Sequence, residues 1–139
     1  CHLRNRPASS KGLRMTDRQL TILAAINLLI AVGAGAFGAH GLKRLVTPEL
    51  LSVWQTGVMY HLIHGLGLFI IALLGARYGS PLLSAAGLVM FIGIVLFSGS
   101  LYVLTLTGTH WLGAITPVGG VAFLAAWAMV ALAAYRAQG

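Results

Sequence analysis

The sequence predicts an all-α, polytopic membrane protein: a bundle of four transmembrane helices with both termini on the cytoplasmic side. Three observations predict it. Residues Pro81–Tyr135 contain no Asp, Glu, Lys or Arg, and their one clear interruption is the stretch Thr107–Pro117. Each flank is long enough to cross a hydrocarbon core about 30 Å thick, which takes roughly 20 helical residues. Hydrophobic residues make up 58% of the chain and charged ones 8%, against about 25% charged in globular proteins. The mean hydropathy of +0.90 agrees. Basic charge is asymmetric, with five of the nine Lys and Arg residues (Arg4, Arg6, Lys11, Arg14, Arg18) preceding the first apolar run. Such charge beside an apolar span sets topology and meets anionic headgroups, so the net charge of +7 does not point to nucleic acid.

Residues 1–19 are polar and basic and read as a flexible N-terminal arm. The lone Cys1 allows no internal disulfide. Met15 is a candidate initiator, which would leave residues 1–14 as a non-native extension; a lipidated Cys1 is the alternative. The four-helix domain then occupies residues 20–136, with spans at about 20–39, 53–75, 82–106 and 117–135.

The first span, Leu20–Ala39, exceeds the 7–15 residues of a signal-peptide core, so it reads as a retained helix despite the small residues Ala34-Gly35-Ala36. Ala31/Gly35 and Ala34/Gly38 are small-xxx-small pairs that let a second helix approach closely. Thr47 caps the next helix, with Pro48 at its first position and Glu49 in its first turn. Trp54 is expected as an interfacial anchor where that helix enters the bilayer. The third span is the most apolar, and Thr116-Pro117 repeats the cap-then-proline signal to open the fourth. The fourth span is rich in Ala and is expected inside the bundle.

Four spans place both termini on one side. That side carries seven basic residues (the five of the arm, Arg77 and Arg136) against Lys43 and Arg44 opposite, which predicts cytoplasmic termini. A start at Met15 reduces the difference to three against two.

The polar groups inside the spans are Asn27, Gln55, Thr56, Tyr60, His61, His64, Ser98, Ser100, Tyr102 and Thr105. Ionisable residues at membrane depth mark functional positions by default. His61 and His64 share a helix face, and Tyr60 lies four residues before His64. Topology groups His40, Tyr60, His64, Ser98, Ser100 and Thr116 as one polar pocket in the outer half of the membrane. The plainer reading, favoured here, is that these groups satisfy one another as interhelical hydrogen bonds worth about 0.6 kcal/mol each. Gly35, Gly38, Gly99, Gly119 and Gly120 are expected as helix-packing positions. A metal site on His40, His61 and His64 is chemically allowed, but no carboxylate or Cys stands near and the spacing fits no ligand motif, so no metal or cofactor is expected. The motifs of hydrolases, P-loop enzymes, thiol oxidoreductases and zinc proteases are missing, and an enzyme is not expected.

Four stretches in order carry a family resemblance: Gly35-Ala36-Phe37-Gly38-Ala39-His40; Trp54-Gln55-Thr56-Gly57 with Tyr60 and His64; Phe97-Ser98-Gly99-Ser100-Leu101-Tyr102; and Thr116-Pro117-Val118-Gly119-Gly120. Over about residues 15–135 the chain resembles the YgdD-like small membrane proteins (UPF0382, domain of unknown function family 423), to which vertebrate transmembrane protein 256 is similar. The resemblance implies a four-helix protein of the bacterial inner membrane, a variable residue at His61, and no assigned activity. Two functions follow as expectations. The first is a structural or accessory component that packs with itself or a larger membrane complex, in contact with the lipid bilayer. The alternative is a transporter or channel for a small solute or proton around His64.

Overall fold

The computed structural model describes residues 15–137; the N-terminal stretch 1–14, with Cys1, lies outside them. Among the described residues the structure is helical throughout, with no strand. Helix α1 (Asp17–Ala39) opens with a reciprocal capping box: Gln19 N–H donates to Thr16 Oγ1 at 3.1 Å, and Thr16 N–H to Gln19 Oε1 at 3.0 Å. It buries one stripe, Leu20, Ala24, Asn27, Ala31 and Gly38, at helical spacing, flanked by the half-buried Leu23, Leu28, Ala34 and Gly35, and exposes its opposite face. A short 3-10 turn (Leu42–Arg44) leads to helix α2 (Pro48–Tyr78), capped by Thr47 with Pro48 as its first residue. At 31 residues α2 is about 46 Å long, well beyond the hydrocarbon thickness, which a bilayer accommodates by tilt or by protruding ends.

Gly79 ends α2 in the left-handed conformation at φ 61°, and Ser80 and Pro81 start helix α3 (Pro81–Ile94). A π-helical turn (Val95–Gly99) joins α3 to α4 (Ser100–Thr107), so the three form one rod. Gly108, also left-handed at φ 70°, closes it. A 3-10 turn (His110–Ala114) precedes helix α5 (Thr116–Arg136). Four helical stretches are therefore long and apolar enough to cross a membrane: Asp17–Arg44, Pro48–Tyr78, Pro81–Thr107 and His110–Arg136.

Helix α2 is central, with α1 against one side and the α3–α4 rod against another; α5 packs on α3 and the π turn and barely meets α2. The main core joins Leu20 and Ala24, Leu68 and Ile71, Leu83, Ala86 and Met90, and Phe123 and Ala126 from all four rods. A smaller core at the far end holds Leu42, Trp54 and Val58.

Three sequence expectations are corrected by this packing. Trp54 is no interfacial anchor. It is buried between α1 and α2, and its indole N–H donates to Ala34 O at 2.8 Å. Helix α5 is peripheral: Val118, Val121, Leu124 and Leu132 are exposed, and its small residues serve one close face through Gly119, Ala126 and Ala133. Thr116 does not cap α5, which begins at Thr116 itself with no side-chain cap, because its hydroxyl is engaged by Ser100.

The glycines divide by what a Cβ would meet. At Gly35 it would lie 3.3 Å from Val58 Cγ1, and at Gly38 2.7 Å from Trp54 Cδ1. At Gly119 it would collide with the Phe97 backbone, 2.8 Å from its Cα. Gly120 reaches only Phe97 Cδ2, at 4.0 Å. Gly99 meets nothing within 4 Å, so it is not a helix contact; it closes the π turn and faces away from the neighbouring rods. Gly119→Ala is accordingly expected to lose roughly 1–3 kcal/mol by overpacking α5 on the π turn, while Gly99→Ala is expected to lose nothing. Thermal unfolding of the two variants in detergent checks the contrast.

Candidate functional site

The buried polar residues of the interior are Asn27, His61, His64, Ser98, Ser100 and Thr105. Their central arrangement is a hydrogen-bonded chain across three helices. Asn27 sits on the buried stripe of α1, and its amide nitrogen donates to Leu23 O at 2.8 Å. The amide oxygen therefore faces His61 of α2 and accepts from Nε2–H at 3.1 Å. That tautomer leaves His61 Nδ1 as an acceptor, and Tyr102 of α4 donates its hydroxyl there at 3.0 Å. Tyr102, His61, Asn27 and Leu23 O thus form one directional series without a formal charge.

His64, one turn along α2, has separate partners. Its Nδ1–H donates to Tyr60 O at 2.8 Å, and its Nε2 accepts from the Trp127 indole N–H at 3.1 Å. Because the carbonyl can only accept and the indole can only donate, this tautomer is fixed. Phe123 stacks on the imidazole with centroids 3.6 Å apart, and Tyr60 packs on Phe97 at 4.4 Å. An open cavity of about 500 Å³ lies over this aromatic group where α2 and α5 diverge, lined by Tyr60, His64, Phe97, Pro117, Phe123 and Trp127 among others.

The six residues expected in one pocket are placed in separate sets. Tyr60 and His64 are together, as their spacing implied. Ser98 donates to Gly57 O of α2 at 2.7 Å, whereas Ser100 bonds Thr116 at 2.7 Å and Phe97 O at 2.8 Å. Residues two apart on a helix point to different sides, so the two serines serve different neighbours. His40 is exposed at the end of α1, beside Lys43 and Arg44. Asn27, His61 and Tyr102 were visible as polar residues, but not as a set. The available signal was the place of Asn27 on a stripe otherwise made of Leu, Ala and Gly. Trp127 as the partner of His64 had no sequence signal.

The bonds of Asn27, His61 and Tyr102 tie α1, α2 and α4 to one another. Neither histidine is paired with an acid, and among the described residues no cluster of three or more His, Cys, Asp or Glu stands ready for a metal. Tyr102→Phe is expected to destabilise the protein by about 1 kcal/mol, because it leaves His61 Nδ1 without a donor. A double-mutant cycle on Asn27→Ala and His61→Ala is expected to give a coupling of about 0.6 kcal/mol, the usual size for a bond between membrane helices. Additive effects in detergent unfolding would contradict the shared bond.

Residues 34–120 match the family described as "Protein of unknown function (DUF423)". The chain is 55% identical over 116 residues to the UPF0382 membrane protein YwdK of Bacillus subtilis, covering 83% of this chain and 94% of that one. It is 46% identical over 118 residues to the UPF0382 membrane protein SERP0230 of Staphylococcus epidermidis, covering 85% and 96%. The UPF0382 membrane protein SSP2132 of Staphylococcus saprophyticus is 45% identical over 83% of this chain and 95% of its own length. No solved structure matches the chain. With four apolar rods and relatives aligned along nearly their whole length, this chain belongs to the UPF0382 (DUF423) family of multi-pass membrane proteins of unknown function.

Proposed function

We propose that the protein is a non-catalytic structural or accessory component of the bacterial inner (plasma) membrane, packing with copies of itself or with a larger membrane complex. The observation that carries this reading is the saturation of the interior. Among the described residues no buried side-chain nitrogen or oxygen lacks a hydrogen-bond partner. Some of these bonds close within a helix, as Thr105 does on Leu101 O, and others join helix to helix, as His61 does to Asn27 and Tyr102 and Ser98 to Gly57 O, which supports a cohesive role for the interior. The outer faces of α1 (Ile22, Ile26, Leu29, Val32) and α5 (Val121, Leu124, Leu132) offer apolar surface to lipid or to a partner. The bacterial sources of the relatives support the compartment. Cytoplasmic termini are supported by Arg18, Arg77 and Arg136 on the terminal side against Lys43 and Arg44 opposite.

The cavity beside His64 is what favours transport as the second reading. Both ring nitrogens of His64 are already engaged, and no charged residue accompanies them, which weighs against a relay. Purification in mild detergent with crosslinking and mass spectrometry separates the two. The accessory reading expects self-crosslinks or a partner in near-equal amount. A lone monomer with a reconstituted solute or proton flux that vanishes in His64→Ala would replace it with transport. Cysteines placed at each end of the chain and probed from outside intact cells are expected to resist labelling.

A further inference from the structure

The turn between α1 and α2 gathers polar heads that nothing in the protein uses. His40, Lys43 and Arg44 line one open cavity of about 570 Å³ together with Ala39 and Gly41. All three side chains are exposed. Among the described residues none of them makes a side-chain hydrogen bond or an ion pair, in contrast to the saturated interior. The backbone beneath them is fixed. Leu42 is 1% exposed and anchors the smaller core. Arg44 N–H donates to Gly41 O at 3.2 Å, and the N–H groups of Leu45 and Val46 to Leu42 O at 2.9 and 3.2 Å.

The setting identifies the ligand chemistry. The turn sits where a spanning helix leaves the hydrocarbon, and apolar Phe37 and Leu45 remain exposed on either side of it in sequence. Phe37 lies against Gly41, within 3.1 Å of where a Cβ would stand. Cations at this level meet the phosphate layer, each worth on the order of 1 kcal/mol against an anionic surface. Arg44 can grip two phosphate oxygens at once, Lys43 supplies a point charge, and His40 a ring N–H donor. The α1 dipole would also favour cations here, but a dipole calls for no shared cavity and no third polar ring. Nor does topology account for them, because Lys43 and Arg44 lie opposite the end that carries Arg18, Arg77 and Arg136.

We propose that His40, Lys43 and Arg44 form a binding site for the phosphate of an anionic phospholipid headgroup. The acyl chains of that lipid then lie along the exposed apolar face of α1, where Leu29 and Val32 are 74% and 62% exposed. A lipid rather than free phosphate is the ligand because this apolar track leads to the same turn. The site meets a phosphate layer whichever way the bundle is inserted.

Native mass spectrometry of the full chain in detergent, titrated with phosphatidylglycerol, phosphatidylcholine or inorganic phosphate, tests the site. The wild type is expected to retain phosphatidylglycerol in preference to phosphatidylcholine. Lys43→Gln or Arg44→Gln alone is expected to reduce that preference about fivefold, and the pair together about 30-fold. Arg77→Gln/Arg136→Gln, at the opposite end, is expected to keep it. Because the replaced side chains are exposed, helix content and melting temperature should match the wild type; the single variants supply the answer if the double variant does not fold. An unchanged preference in the single and double variants overturns the proposal, as does an equal loss in the Arg77/Arg136 control. Displacement of the lipid by millimolar inorganic phosphate would overturn the lipid as ligand and leave a free-anion site.

Discussion

A hydrocarbon interior offers no water to complete a hydrogen bond, and the arrangement of this protein depends on that constraint. Regular helices satisfy the backbone within each rod. Polar side chains have only neighbouring rods or their own preceding turn to turn to. Asn27, His61 and Tyr102 meet that demand by bonding α1, α2 and α4 in series. Ser98 meets it at Gly57 O, Trp54 at Ala34 O, and Trp127 at His64. Each bond is modest, but its loss strands a partner at a depth where no solvent can replace it.

Small residues make these bonds reachable. A buried donor that targets a helix carbonyl must approach the helix surface closely, and a bulky side chain on the receiving turn would prevent it. Gly57 provides the opening for Ser98, and the Tyr102 ring lies over it, 3.0 Å from where a Cβ would stand. Gly38 lets the indole of Trp54 lie flat enough to reach Ala34. Gly119 lets α5 rest on the backbone of Phe97, within the π turn. In lipid, where apolar surface alone gives helices little reason to associate, close contact and hydrogen bonding together hold the bundle.

The α1–α2 turn contrasts with the interior. Inside, polar atoms are few and all partnered; at the α1–α2 turn, His40, Lys43 and Arg44 have no partner from the chain among the described residues. Polar groups of the core therefore address the protein, and those of the turn address its surroundings. The exposed apolar sides of α1 and α5 continue that outward face along the rods.

The sequence by itself determined the class of protein, the number of spans and several helix ends. Charge-free apolar length, the Thr47-Pro48 start and the interruption at Thr107–Pro117 depend on local chemistry, which reads directly from residue order. The closeness of Tyr60 and His64 was equally legible, being a matter of helical spacing. Tertiary structure alone decided that Trp54 turns inward, that Gly99 faces no neighbour, that α5 lies at the edge, and that His61 rather than His40 joins the buried network. Hydropathy adds up residue by residue and is indifferent to how a rod is rotated. Which polar atom meets which depends on the rotation and register of each helix against the next, and the π turn at Val95–Gly99 changes that phase partway along a rod.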